Sequence, residues 1–161
     1  MKKLAITLAA VLCAAPTLAQ EPARDAGYDA LEGLVGRWTI AGREGKYLET
    51  CDWYHGRRHV VCNTESTRDD GSTSHGMSIL SFVPGDGYVY TGIGSRGRYE
   101  TYRGGTFRDG VLEYLAQAPD LRTRIRVGPF TDPDRIPFNV HTSKDGVAWE
   151  AADGFQYVRV K

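Results

Sequence analysis

The chain has 161 residues, 41% of them hydrophobic and 11% aromatic, with 20 basic and 20 acidic side chains and three cysteines. That balance lacks the basic excess that nucleic-acid binding usually calls for, so no nucleic-acid partner is expected. The length suits one domain with a sizeable core.

Lys2 and Lys3, the apolar run from Leu4 to Ala15, and Thr17-Leu18-Ala19 have the three-part layout of a secretory signal peptide. Cleavage is expected after Ala19, giving residues 1–19 as the signal peptide of a periplasmic or secreted protein. The apolar run is too short to span a bilayer and no other run reaches that length, so the expectation is a soluble, non-membrane-spanning chain. Losing Lys2 and Lys3 leaves 18 basic against 20 acidic residues, a net charge of −2. Losing Cys13 leaves Cys51 and Cys62 alone in an oxidising compartment, where disulfides persist.

Residues 20–28 are polar and without apolar periodicity, which predicts a flexible leader before a domain at 29–161. Asp29 is placed to cap a short helix over Ala30-Leu31-Glu32-Gly33-Leu34, which Gly33 weakens. The stretch CDWYHGRRHVVC follows, and its two cysteines and two histidines can be read as a metal site or as a stapled hairpin. Symmetric pairing about His55-Gly56-Arg57-Arg58 sets Cys51 opposite Cys62 and Trp53 opposite Val60. Cys51 and Cys62 then form a non-hydrogen-bonded pair, with Cα atoms about 4.5 Å apart, within disulfide reach. Alternation turns His59 away from the sulfurs, and His55 lies in the turn. A tetrahedral zinc site needs converging ligands, so a disulfide and no metal is the expectation.

Turn signals then recur at 68–71, 84–87, Gly104-Gly105, Asp109-Gly110, 132–134, 144–146 and 152–154. The β-rich segments between them include SILSFV, YVYTGI, VLEYLA, TRIRVG, IPFNVHT and FQYVRV. Short strands at this spacing predict an all-β sandwich or barrel. Thr123, Ile125 and Val127 share the inner face of one strand, with Arg122, Arg124 and Arg126 outside. Ile136, Phe138, Val140 and Thr142 face in on the next, leaving His141 on the polar side.

Gly92-Ile93-Gly94-Ser95-Arg96-Gly97 matches a dinucleotide fingerprint, yet no helix-forming sequence follows to receive a pyrophosphate, so it is read as a bend. Ser95 lacks a nucleophile-elbow context, and no spacing joins the four histidines to a hydrolytic triad. Asp69-Asp70-Gly71 and Asp132-Pro133-Asp134 lack calcium-loop periodicity and read as turns. No cofactor is expected.

Leu31-x-x-Leu34-x-Gly36-x-Trp38 resembles the Gly-x-Trp opening of the calycin superfamily, which holds the lipocalins and fatty-acid-binding proteins. Gly56-Arg57, the late Asp145-Gly146-x-x-Trp149 and Arg159 on the final strand are similar to a bacterial family of lipocalin-like domains of unknown function. The resemblance spans residues 30 to 160 and implies an antiparallel up-and-down lipocalin-like β-barrel. It also implies closure of the barrel by Gly36, Trp38 and Arg159. Gly42, Gly45 and Tyr47 are loosely similar to the haem-binding nitrobindin-like barrels. Those need an axial histidine on a late strand, for which His141 is the candidate.

A barrel of eight or more strands leaves room for a small ligand. The expected function is non-catalytic binding of a small apolar or amphipathic molecule by a monomer. Trp53, Val60, Tyr88, Tyr90 and Phe138 are the candidate lining residues. The alternatives are an envelope-interaction protein with a packed core, an enzyme whose interior holds titrating residues with perturbed pKa values, and a haem binder.

Overall fold

A computed structural model of the protein describes residues 26–118 and 120–161. Among them are an N-terminal 3₁₀ helix, Ala26–Leu34, and ten strands. The strands are β1 (Gly36–Ile40), β2 (Tyr47–Trp53), β3 (His59–Thr67), β4 (Thr73–Val83), β5 (Gly87–Gly94), β6 (Tyr99–Arg108), β7 (Val111–Ala118), β8 (Leu121–Val127), β9 (Arg135–Ser143) and β10 (Glu150–Arg159). A single 3₁₀ turn, His55–Arg57, joins β2 to β3. Each strand pairs antiparallel with the next and β1 closes on β10, giving an all-β up-and-down barrel without a free sheet edge. No helix among the described residues is long and apolar enough to cross a membrane.

The helix closes one end. Leu31 and Leu34 enter the core with Trp38, Val60, Leu112 and Ile136. The Trp38 indole donates to the Leu34 carbonyl at 2.8 Å, and the Tyr88 hydroxyl donates to the Gly27 carbonyl at 2.8 Å. The helix starts at Ala26, ahead of the expected Asp29 cap, so residues 26–28 belong to it rather than to a leader. The physical reason is Tyr28, buried edge-on against the Phe82 ring at 5.5 Å. Apolar burial overrides the polar composition around it. The expected signal peptide at 1–19 and residues 20–25 lie outside the described residues.

Trp38 and Arg159 sit directly opposite across β1 and β10. The Arg159 guanidinium lies 4.1 Å from the Trp38 ring centroid and donates to the carbonyls of Val35 at 3.2 Å and Pro133 at 2.7 Å. A Cβ on Gly36 would collide with the same guanidinium, and Gly36 adopts φ 136°. The glycine of the Gly-x-Trp opening thus clears a path for the arginine.

Two expected turns are not turns. Gly104-Gly105 lies inside β6, where Tyr88 pairs with Gly105 but Tyr90 pairs with Tyr102. Arg103 and Gly104 therefore oppose one residue, and Gly104 takes the positive φ of 66° that such a bulge requires. Ala152-Asp153-Gly154 lies inside β10, where Ala152 is the extra residue between Ala151 and Asp153. Bulges and turns draw on the same small residues, and pairing partners decide between them. Gly92 and Gly94 belong to β5, and the chain turns at Ser95-Arg96-Gly97 with no helix after it.

Candidate functional site

The cysteine hairpin pairs in the expected register, Cys51 with Cys62 and Trp53 with Val60. Cys51 and Cys62 form a disulfide with Cα atoms 4.0 Å apart, inside the barrel wall. His55 sits in the exposed turn, and His59 bonds Ser81 at 2.7 Å. Among the described residues, the donor grouping compact enough for a metal is Glu49 with Cys51 and Cys62, within 4.8 Å of one another. With the sulfurs joined, neither supplies the thiolate a metal binds.

Alternation along β2 determines what else faces inward. Tyr47, Glu49, Cys51 and Trp53 share a face, so the inward sulfur of Cys51 brings Glu49 in with it. Glu49 borders a cavity of about 600 Å³ that runs from an apolar floor, including Leu34, Trp38, Leu80 and Ile136, to a rim at Arg68, Ser95 and Arg96. Glu49 stands opposite Thr64 on β3. The Tyr47 hydroxyl donates to its carboxylate at 3.0 Å, and the Tyr157 and Thr64 hydroxyls are near enough to favour its charged form. Burial pushes the carboxyl above its usual range, and these hydroxyls partly offset the shift. Burial likewise raises Tyr47 and Tyr157, with the Glu49 charge adding to it.

Half a turn around the barrel, β5, β6 and β7 carry Tyr90, Tyr102 and Tyr114. Tyr90 and Tyr102 stack at 5.7 Å between centroids, and Tyr114 lies 6.2 Å from Tyr90. A Cβ on Gly105 would meet the Tyr114 ring at 2.7 Å, so the glycine beside the β6 bulge makes room for that ring. The Tyr102 hydroxyl donates to Glu100 at 3.0 Å, and Arg98 grips both Glu100 oxygens at 3.0 and 2.9 Å. The Tyr114 hydroxyl has no partner among the described residues, although the residue is only 2% exposed. Burial pushes Tyr90 upward too, with Glu100 and then Glu49 contributing, so Glu49 is felt across the cavity.

Of the five residues read as lining, Tyr90 and Phe138 border this cavity. Val60 is fully buried in the core. Tyr88 lies beneath the helix, where it borders a groove with Phe107 and Phe130. Trp53 donates to Glu32 at 3.0 Å with the Arg57 guanidinium 5.4 Å from its ring, at the helix end of the barrel. Sequence reasoning passed over Glu49, Tyr102, Tyr114 and Tyr157. The signal for Glu49 was its i−2 relation to Cys51.

On the outer face, Arg124 lies 4.4 Å from the Trp149 ring centroid and Arg126 pairs with Glu113 at 3.3 Å. The arginine row is therefore partly stacked and paired rather than simply solvated. His141 pairs across from Arg124, and it is absent from the cavity wall. Family models tested against the chain give no match, and neither do curated proteins.

Proposed function

We propose that this protein is a lipocalin-like binding protein of the periplasm or extracellular space, holding a small apolar or amphipathic molecule in its barrel as a monomer. The observation carrying this reading is the cavity of about 600 Å³, above the roughly 300 Å³ at which small-molecule sites begin. Its apolar floor and small number of inward polar groups are the composition by which such sites combine affinity with orientation. The Gly36, Trp38 and Arg159 arrangement supports the lipocalin-like assignment, and the Cys51–Cys62 bridge supports an oxidising compartment.

The test is native mass spectrometry of protein taken from its own compartment without detergent. A co-purifying small molecule is expected, and it should quench Trp38, on the cavity floor, when returned to stripped protein. Bare protein that also fails to respond to fatty acids, isoprenoids and haem would overturn the reading in favour of envelope interaction.

Glu49 favours a second reading, catalysis. A carboxyl raised by burial and bonded by the Tyr47 hydroxyl beside a cavity is a candidate general acid or base. Conversion of the recovered molecule by wild type, lost in Glu49→Gln, would replace binding with turnover.

A further inference from the structure

Two polar groups on opposite walls restrict what the cavity can hold. Tyr114 is 2% exposed, lines the cavity and leaves its hydroxyl without a partner among the described residues, whereas buried hydroxyls are almost always bonded. Its neighbour Tyr102 is already committed to Glu100. Across the barrel, Glu49 receives the Tyr47 hydroxyl at 3.0 Å, which leaves acceptor positions open among its roughly four. No Lys or Arg pairs with Glu49 among the described residues. Once pH exceeds the raised folded value of Glu49, a carboxylate on the ligand would meet a second carboxylate there, so binding titrations belong on that side of it. The cations near the mouth do not reverse this. Arg98 is held by Glu100, while Arg68 and Arg96 are exposed at the rim, where water screens them.

We infer, resting on the binding reading above, that the ligand is a neutral molecule with an apolar body that presents a hydrogen-bond acceptor to Tyr114 and a hydroxyl-type donor to Glu49, in preference to a fatty-acid anion. A hydroxylated ketone is the simplest member of this class. The apolar floor of Leu34, Trp38, Leu80 and Ile136 receives the body between the two groups.

Four probes of nearly one shape separate the contributions. 4-Hydroxybenzophenone carries both groups, 4-benzylphenol only the donor, benzophenone only the acceptor, and 4-benzoylbenzoate replaces the donor with an anion. Calorimetric titration of the mature protein should find 4-hydroxybenzophenone tightest, with loss of either group weakening binding by about tenfold. Tyr114→Phe should erase the advantage of the ketone over its methylene counterpart and leave the advantage of the phenol. Glu49→Gln should shrink the phenol's advantage, since a neutral acceptor bonds more weakly, and should relieve the exclusion of 4-benzoylbenzoate.

The inference falls if 4-benzoylbenzoate matches 4-hydroxybenzophenone in wild type, if Tyr114→Phe weakens ketone and methylene ligands equally, or if none of the four binds. The binding reading is judged separately by what co-purifies. A recovered fatty acid would keep the carrier and overturn the ligand class, whereas bare protein would overturn both.

Discussion

At the helix end of the barrel, Leu31, Trp38, Val60, Leu112 and Ile136 are each at most 2% exposed, and the polar groups among them are satisfied. The Trp38 indole bonds Leu34, and Arg159 bonds Val35 and Pro133. Farther along the same strands, toward the rim, the interior holds Tyr47, Glu49, Tyr90 and Tyr114 around open space, with a raised carboxyl and a hydroxyl that has no partner. One set of strands thus carries a sealed core and an open cavity in series. The difference teaches where along the strands stability is gained and where it is given up. Apolar packing holds the barrel shut at one end, and polar groups facing open space lower stability at the other.

That contrast can be broken by substitution. Leu31→Ala, at the fully buried centre of the sealed end, should cost about 2–5 kcal/mol in chemical denaturation. A loss below 1 kcal/mol would mean the helix contributes little to the core. Replacing Cys51 and Cys62 with serine opens a loop of sequence separation 11 and should cost about 3 kcal/mol, read as a lower Tm in a chain that still folds.

At the open end the sign reverses. Tyr114→Phe removes a buried hydroxyl with no partner, so the unliganded variant should gain about 1 kcal/mol in urea unfolding. A destabilised variant would show that the hydroxyl is satisfied in solution.

The smallest effect concerns pH. Glu49 is raised in the folded protein above the ordinary carboxyl value of 4.5, so the folded state holds the proton more tightly than the unfolded chain. Its contribution to stability is intact below about 4.5 and is lost as pH rises through the folded value. Thermal melts of wild type and Glu49→Gln across this range should show the variant gaining on wild type as pH rises, then levelling off. A constant difference would mean that Glu49 is not shifted.

Much of this architecture was legible along the chain. The alternation in RTRIRV and RIPFNVHT distinguishes the inward Ile125 and Phe138 from the outward Arg124 and His141, because strand side chains obey a fixed period. Local spacing also set Cys51 against Cys62. The two bulges were not legible, because Gly104-Gly105 and Ala152-Asp153-Gly154 have the composition of turns and differ only in what lies beside them. Trp53 and Tyr88 share strand faces with cavity residues, yet each hydrogen-bonds to the helix end of the barrel. Face is a property of sequence period, while depth along a barrel is not.

Residue pattern alone determined the strand-rich class, the register of the cysteine hairpin and the inner faces of β8 and β9, since all three follow from interactions between near neighbours in the chain. Only the tertiary structure decided the rest. The closure of β1 on β10 places Arg159 over Trp38, and the barrel brings Glu49 into electrostatic reach of Tyr90 and leaves Tyr114 without a partner. Those relations join residues far apart in sequence, and which of them meet depends on how many strands the barrel needs to close and where its helix stops filling it.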